Sequence, residues 1–569
     1  MNSTVVIHQA KCNERQLHIE FTYEIAEDEY TKTRVLFYFH QTGIDRILPC
    51  PIRIEYKNNL VCISGNLDIE LNSIFYPETR LTDCRLAIWI QNGFEYDKNV
   101  KLCVANSDLT VKDNELFVPN DEIIRDKKSG VKAHSILSYL FACLGVVLLP
   151  VFAVDSVLAL KGYRTLYPKE STSRGIKAMI KHMNARIYML SGISFIPREF
   201  KTNLFVQYYE EYRKEPIIEN QVLFLSERKD SPTGNLQRIR KVMEQYPELS
   251  IVLYQNETTV NNLTKPEIRK ITKLIATSKL IVLDDFYPQL HFISLRKETK
   301  LVQLWHACGG FKTFGFSRVM KPGGPLQSSK NHRSYDYAFV SGSKMVDIYS
   351  EGFGIPTDHV IPLGVPRTDE FFDEVYGNQT RERLYGKYPN LKEKKVVLIA
   401  PTFRGDGNRS AYYPEDKLDI NQLCEMLPDE YVFVLKHHPF VKTKWEYEER
   451  YASRVVDGTK TEEMNDLLFI ADILITDYSS VVFEATLLNV PIIFYAFDLE
   501  EYMKDRDIYY DFTEFAPGPI VKDFEQLCKA IQTIESHNQI ADFRNYFMDA
   551  IDGNSTKRIA EYLRKLCNS

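Results

Sequence analysis

Residues 471–484 read ADILITDYSSVVFE. An apolar strand (Ile473, Leu474, Ile475) enters a polar turn, Asp477-Tyr478-Ser479-Ser480, and an apolar helical run follows from Val481 to Leu488. The turn falls where a parallel strand hands over to a helix, and the first N–H groups of such a helix are unpaired and suited to an anion. Ser479 and Ser480 therefore have two readings, as plain helix caps or as donors to a phosphate. Two histidines with polar surroundings also follow strand patterns. His306 ends LVQLWH before a glycine pair, and His438 lies in LKHHPF. A neutral imidazole at a strand end can take a hydroxyl proton near pH 7. Arg404 follows VVLIAP, and a guanidinium can fork onto phosphate oxygens as a lysine cannot. A phosphate is the ligand these types share.

Positioning such residues needs parallel α/β architecture, and the chain supplies the pattern twice. From about 218, VLFLS, a helical LQRIRKVMEQY, SIVLYQ, a helix near 266–278, LIVLDD and LVQLWH alternate. A second series starts at KVVLIAP (395–401) and runs through YVFVLKHHP, ILITDYSS, PIIFYAF and a terminal helix near 556–567. Alternation of this kind implies doubly wound parallel sheets, in which ligands bind beyond the carboxyl ends of the strands. The boundary between the series is expected near 374–394. Residues 1–120 differ: LHIEFTYEI, TRVLFYFH, IRIEY and CRLAIWIQ alternate apolar with polar and predict a small antiparallel sandwich.

Residues 121–200 form a linker. A polar stretch with Arg125, Lys127, Lys128 and Lys132 precedes an uncharged apolar run, 135–154, broken by Pro150. Basic residues from Lys161 to Arg186, interleaved with Ile176, Met179, Ile180 and Met183, follow. The pattern favours a kinked monotopic anchor; a single span and a buried core helix are the other readings. No secretory h-region precedes it.

The chain has 569 residues, more than one core accommodates. Its formal net charge of −6 argues against a general nucleic-acid binder. The ten cysteines show no CxxC pair or regular spacing, so neither a zinc site nor a disulfide framework is indicated, and reduced thiols are expected. Asp284-Asp285 reads as a loop acid pair rather than a metal site; no metal and no cofactor are expected.

The strand-end motifs recur in a fixed order: LWHACGGFKTFG (304–315), GVPRTDEFF (364–372), LIAPTFRGDG (398–407), LKHHPF (435–440), DYSS, and PIIFYAFDLEEY (491–502) with PGPIV (517–521). Together they closely resemble the CDP-glycerol glycerophosphotransferase family over roughly residues 200–550. These bacterial enzymes build wall teichoic acids and some capsules. The resemblance implies a GT-B-like pair of Rossmann-like domains, 201–380 on the acceptor side and 381–569 on the CDP-polyol side, behind the β-sandwich. It implies transfer of polyol phosphate from CDP-ribitol or CDP-glycerol to a lipid-linked teichoic acid acceptor, with release of CMP, at the cytoplasmic face of the membrane, peripheral or monotopic. A homo-oligomer is left open.

On this resemblance His306 is the base and His438 stabilises phosphate charge or protonates the leaving group, with His437 a structural neighbour. Ser479, Ser480, Arg404 and Lys312 hold phosphates. Asp477 either accepts from a hydroxyl, orients an imidazole or fixes the turn. Glu484 either reaches a ribose hydroxyl or caps. Arg367 braces the hinge by pairing with Asp369 or Glu370. The family's usual WHGTP is altered here: Ala307, Cys308, Gly309 and Gly310 replace the Gly-Thr-Pro turn and the residue after it, which puts the threonine's contribution in doubt.

Overall fold

A computed structural model describes residues 3–118 and 197–568, apart from short breaks at 14–15, 42–43, 75–83, 228–233, 256–259, 406–409 and 536–538 and a few positions within 320–328. The apolar 135–154 and basic 161–187 segments lie outside the described residues.

The N-terminal strands build two facing sheets. One carries Thr4–Asn13, Gln16–Ala26, Ile52–Lys57, Leu60–Glu70 and Lys101–Val104; the other is built on Thr33–Gln41, Ile44–Cys50 and Arg85–Asn92. Strict alternation does this: along Gln16–Ala26 the residues Leu17, Ile19, Phe21, Tyr23 and Ile25 all turn inward. Phe21 of one sheet meets Phe37 of the other edge to face at 5.7 Å, inside one shared core. Pairing is antiparallel except where Thr4–Asn13 runs parallel to Lys101–Val104.

Two six-stranded, all-parallel sheets follow. The first has the order Ser250–Gln255, Ile218–Ser226, Ser278–Leu283, Lys300–Gln303, Tyr337–Phe339, Val360–Ile361. The second has the order Val455–Asp457, Tyr431–Leu435, Lys395–Ile399, Ile473–Thr476, Ile492–Tyr495, Ile520–Val521. Central strands such as Tyr431–Leu435 and Ile473–Thr476 are buried at every position, as helices on both faces of a parallel sheet require. The polar stretch expected to separate the series is itself a helix, Glu374–Lys387, capped by the Asp373 carboxylate.

The terminal helix Ser555–Asn568 follows the second sheet in sequence but packs on the first. Ile559, Ala560, Leu563 and Cys567 join Val222, Phe224, Leu280 and Val282 in one core. Its first N–H groups, from Ser555 and Thr556, donate to the Asp369 carboxylate at 3.0 and 2.8 Å, a favourable place for an anion. The chain thus returns to its first unit and ties the two together. Leu563 is fully buried. Leu563→Ala is expected to cost about 2–5 kcal/mol, read as a lower denaturant midpoint with unchanged secondary structure.

Candidate active site

The strand leading to His306 is shorter than its pattern predicts. It ends at Gln303, and Trp305 turns left-handed at φ 57°. That conformation costs a bulky residue about 1–3 kcal/mol, and two side chains hold it. The Gln303 carboxamide oxygen accepts from the Trp305 N–H at 2.8 Å, and Asn235 Nδ2 donates to the Trp305 carbonyl at 2.8 Å. The indole stacks on the His306 ring at 4.4 Å. His306 is left half-buried, its Nδ1 3.3 Å from Asp285 Oδ1. The pair is close enough for charge interaction without being aligned as a hydrogen bond. A carboxylate beside Nδ1 favours the tautomer whose Nε2 is free to accept a proton. Sequence reasoning set Asp285 aside as a loop acid. The signal for it was available: it follows the strand adjacent to the one that precedes His306.

The altered Ala-Cys-Gly-Gly turn packs against the second unit. Gly309 has φ 59°, and a Cβ there would lie 2.1 Å from Phe483 Cε1, so only glycine lets the helix Val481–Leu487 sit this close. Cys308, at the family's threonine position, is buried beside Glu484, and burial pushes its thiol well up. Glu484 is likewise buried and faces the Arg367 guanidinium across the units. It is therefore not turned toward an open ribose site. Arg367 does not pair with its neighbours as expected: Asp369 caps the terminal helix, and Glu370 accepts from Arg238 and Asn465, each at 2.7 Å. The Arg367 N–H donates to Asn235 Oδ1 at 2.9 Å. Asn235 thus joins this ion pair to the backbone of Trp305.

On the second sheet Asp477 is buried and structural. Its Oδ1 accepts from the Thr402 N–H and hydroxyl, both at 2.8 Å, and from the Tyr478 N–H at 2.6 Å. Arg404, expected to fork onto phosphate, forks instead onto Asp498, with Nε and Nη2 donating at 2.6 and 2.9 Å. Its Nη1 donates to the Thr402 carbonyl and hydroxyl, and Nη2 lies 3.0 Å from Asp477. The Tyr478 ring stacks on Tyr502 at 3.9 Å below it. In this arrangement the guanidinium organises the strand ends rather than pointing at a ligand. Ser479 Oγ accepts from the Val481 N–H, the first of the helix, at 3.3 Å. Ser480 is exposed, and its hydroxyl makes no hydrogen bond among the described residues.

Beside these strand ends lies a cleft of about 980 Å³ walled by Phe403, Tyr412, Phe497, Tyr502, Arg506 and Lys522, among others. His437 and His438 both fall past the strand Tyr431–Leu435. His437 is core: it is buried, stacked on Trp445 at 4.1 Å, and held down at about 4 by burial. His438 is half-buried against Phe403, at 4.7 Å, one wall of the cleft. Its Nδ1 accepts from the Phe440 N–H at 3.2 Å, which leaves the proton of the neutral ring on Nε2. Burial, and then the nearby Lys312 charge, lower its pKa. Lys312 brings the His306 loop to the second unit. Its backbone bridges to Ile508, its ammonium lies 5.5 Å from the Tyr502 ring centre, and no ion pair holds it among the described residues. Lys312 from the first unit and His438 from the second thus come together, while His306, on the same loop as Lys312, sits against Asp285 of its own unit.

Residues 207–565 match the model of the family described as CDP-glycerol:poly(glycerophosphate) glycerophosphotransferase. The chain belongs to that family. It is 42% identical over 369 residues to the teichoic acid poly(ribitol-phosphate) polymerase of Bacillus spizizenii, covering 64% of this chain and 60% of that one. It is 38% identical over 351 residues to the ribitol-phosphate polymerase TarL of Staphylococcus aureus, covering 60% and 62%. The chain therefore spans about three fifths of the length of these relatives. The ribitol-phosphate primase of B. spizizenii is matched over 93% of its length and 62% of this chain at 37% identity. The solved wall teichoic acid polymerase TagF has the same fold, with a TM-score of 0.54 at 20% identity over 65% of this chain and 94% of that one. The matched family region excludes the β-sandwich.

The charge coupling between Lys312 and His438 is open to a direct check. Lys312→Met removes a charge that helps hold the imidazole down, so the His438 pKa is expected to rise in an NMR titration. An unchanged titration would separate the two groups.

Proposed function

We propose that this chain is a CDP-polyol phosphotransferase that moves polyol phosphate from a CDP-polyol to a lipid-linked teichoic acid acceptor. The observation that carries the reading lies within the family-matched region: Lys312, which has no ion pair among the described residues, and His438 come together beside a large cleft lined by aromatic, basic and acidic side chains, and His306, next to Asp285, stands on the loop that carries Lys312. The acceptor hydroxyl attacks the β-phosphorus while His306 takes its proton. The bond from that phosphorus to the bridging oxygen breaks, and CMP leaves with the electron pair. The Nε2–H of His438 stabilises the charge that develops, while the Lys312 ammonium and the exposed Ser480 hydroxyl hold the donor's phosphates. The helix after Ser480 has seven residues, so its own dipole adds little beyond its first N–H groups. Arg404 and Asp477 act by positioning.

Greater identity to ribitol-phosphate relatives (42% and 38%) than to the glycerol-phosphate primase of Bacillus subtilis (30%) supports ribitol phosphate over glycerol phosphate. We read the two parallel sheets as a GT-B-like pair, with divisions at 1–120, 121–200, 201–380 and 381–569. Among the described residues no helix is long and apolar enough to cross a membrane. A lipid-linked acceptor together with the 135–187 sequence supports peripheral or monotopic attachment at the cytoplasmic face.

Purified protein with a lipid-linked glycerol-phosphate acceptor is expected to release CMP from CDP-ribitol and to add ribitol phosphate by mass. His306→Ala is expected to lower kcat about 10²–10⁴-fold. Turnover with UDP-sugars alone would move the chain to the glycosyltransferases, and undiminished transfer by His306→Ala would remove it as the base.

A further inference from the structure

The β-sandwich makes partly buried, charged contacts with a short segment of the second unit, Asp507–Tyr510. Lys32, from the strand-to-strand link of the sandwich, donates to Asp507 Oδ1 at 2.6 Å and to the Ile508 carbonyl. Lys321 holds the other carboxylate oxygen. Burial alone would push this carboxyl up, but the two ammoniums hold it down at about 2, so it stays ionised. Next to it, Arg34 lies over the Tyr509 ring at 4.9 Å and pairs with buried Glu351. Phe94 stacks on Tyr510 at 4.6 Å.

The gripped segment is the one that holds Lys312. The Asp507 carbonyl accepts from the Thr313 N–H at 3.0 Å, the Tyr509 N–H donates to the Phe311 carbonyl at 3.0 Å, and Lys312 faces Ile508 between them. Immediately before it come Tyr502 and Arg506, two walls of the cleft. A scaffold domain would need no ionic contact at this one crossing point. Lys32 and Asp507 are 475 residues apart in sequence, yet they are separated from Lys312 only by a two-sided backbone ladder.

We propose that the β-sandwich sets the position of Lys312 through Lys32 and Asp507, which are positioning residues for binding the donor's diphosphate. The inference rests on the reading that Lys312 faces that diphosphate. Another ion pair of the β-sandwich, Lys98 with Asp347 of the first unit, touches neither ladder strand and serves as the control.

The test uses the full chain, with CDP binding by calorimetry and KM and kcat for CDP-ribitol. Lys32→Met is expected to weaken CDP binding and raise KM about tenfold, with kcat within about threefold. Lys32→Arg should recover most of the loss, and Lys98→Met should stay within about twofold. Lys32→Met combined with Lys312→Ala should be no weaker than Lys312→Ala alone. Asp507→Asn, which keeps the side-chain volume, should act in the same direction and serves if Lys32→Met does not fold. If Lys312→Ala weakens CDP but Lys32→Met does so no more than Lys98→Met, the coupling is wrong and the site reading stands. If Lys312→Ala binds CDP as the wild type does, the site reading fails and this inference falls with it.

Discussion

The ion pair between Arg367 and Glu484 is the constraint on which the site geometry depends. Glu484 is withdrawn from water and Arg367 is partly so, one on each α/β unit. Burying two charges costs several kcal/mol per ion unless geometry and hydrogen bonds compensate. Such a pair is weak evidence for net stability, but it tolerates few relative positions of its partners. Through the Asn235 side chain, Arg367 is joined to the carbonyl of Trp305, and so to the backbone that presents His306. Through Glu484, it fixes the helix that Ser479 and Ser480 begin. Cys308 lies beside it, and Gly309 admits nothing larger against Phe483.

Around this anchor the charges fall into two groups. Arg404, Asp477 and Asp498 satisfy one another and lock the strand ends of the second sheet. Lys312, His306 and His438 have no such closed set among the described residues. A site that must neutralise a diphosphate needs positive groups that protein carboxylates have not already quenched. Two carboxylates on Arg404 and none in contact with Lys312 divide the labour between organising the site and binding the ligand. The carboxylate near His306 fits the same logic, because a base needs its tautomer set without losing its acceptor nitrogen.

Much of the fold was legible in the sequence. Period-two alternation marked the sandwich, and repeated strand–helix alternation marked two parallel sheets. Strand ends marked the loops that carry His306, Arg404, His438 and Ser479. What failed were roles decided by distant partners. Arg404 reads locally as a phosphate fork because Asp498 lies 94 residues away, and Glu484 reads as a ribose contact because Arg367 lies 117 residues before it. The terminal helix has a plain amphipathic pattern, but nothing in that pattern says which sheet it covers. The strand before His306 ends early because Gln303 and Asn235 pin a left-handed tryptophan, a feature no propensity encodes.

A double-mutant cycle on Arg367 and Glu484 tests the central claim most directly, with unfolding free energy and transferase rate measured together. Arg367→Met should cost about 3–5 kcal/mol because it strands buried Glu484, Glu484→Gln should cost less because Arg367 keeps some contact with water, and both should sharply reduce transfer. The double variant should lose far less stability than the sum, leaving transfer impaired by misplaced groups. Additive losses, or single variants with wild-type stability and rate, would show that the two units are held in register by something else.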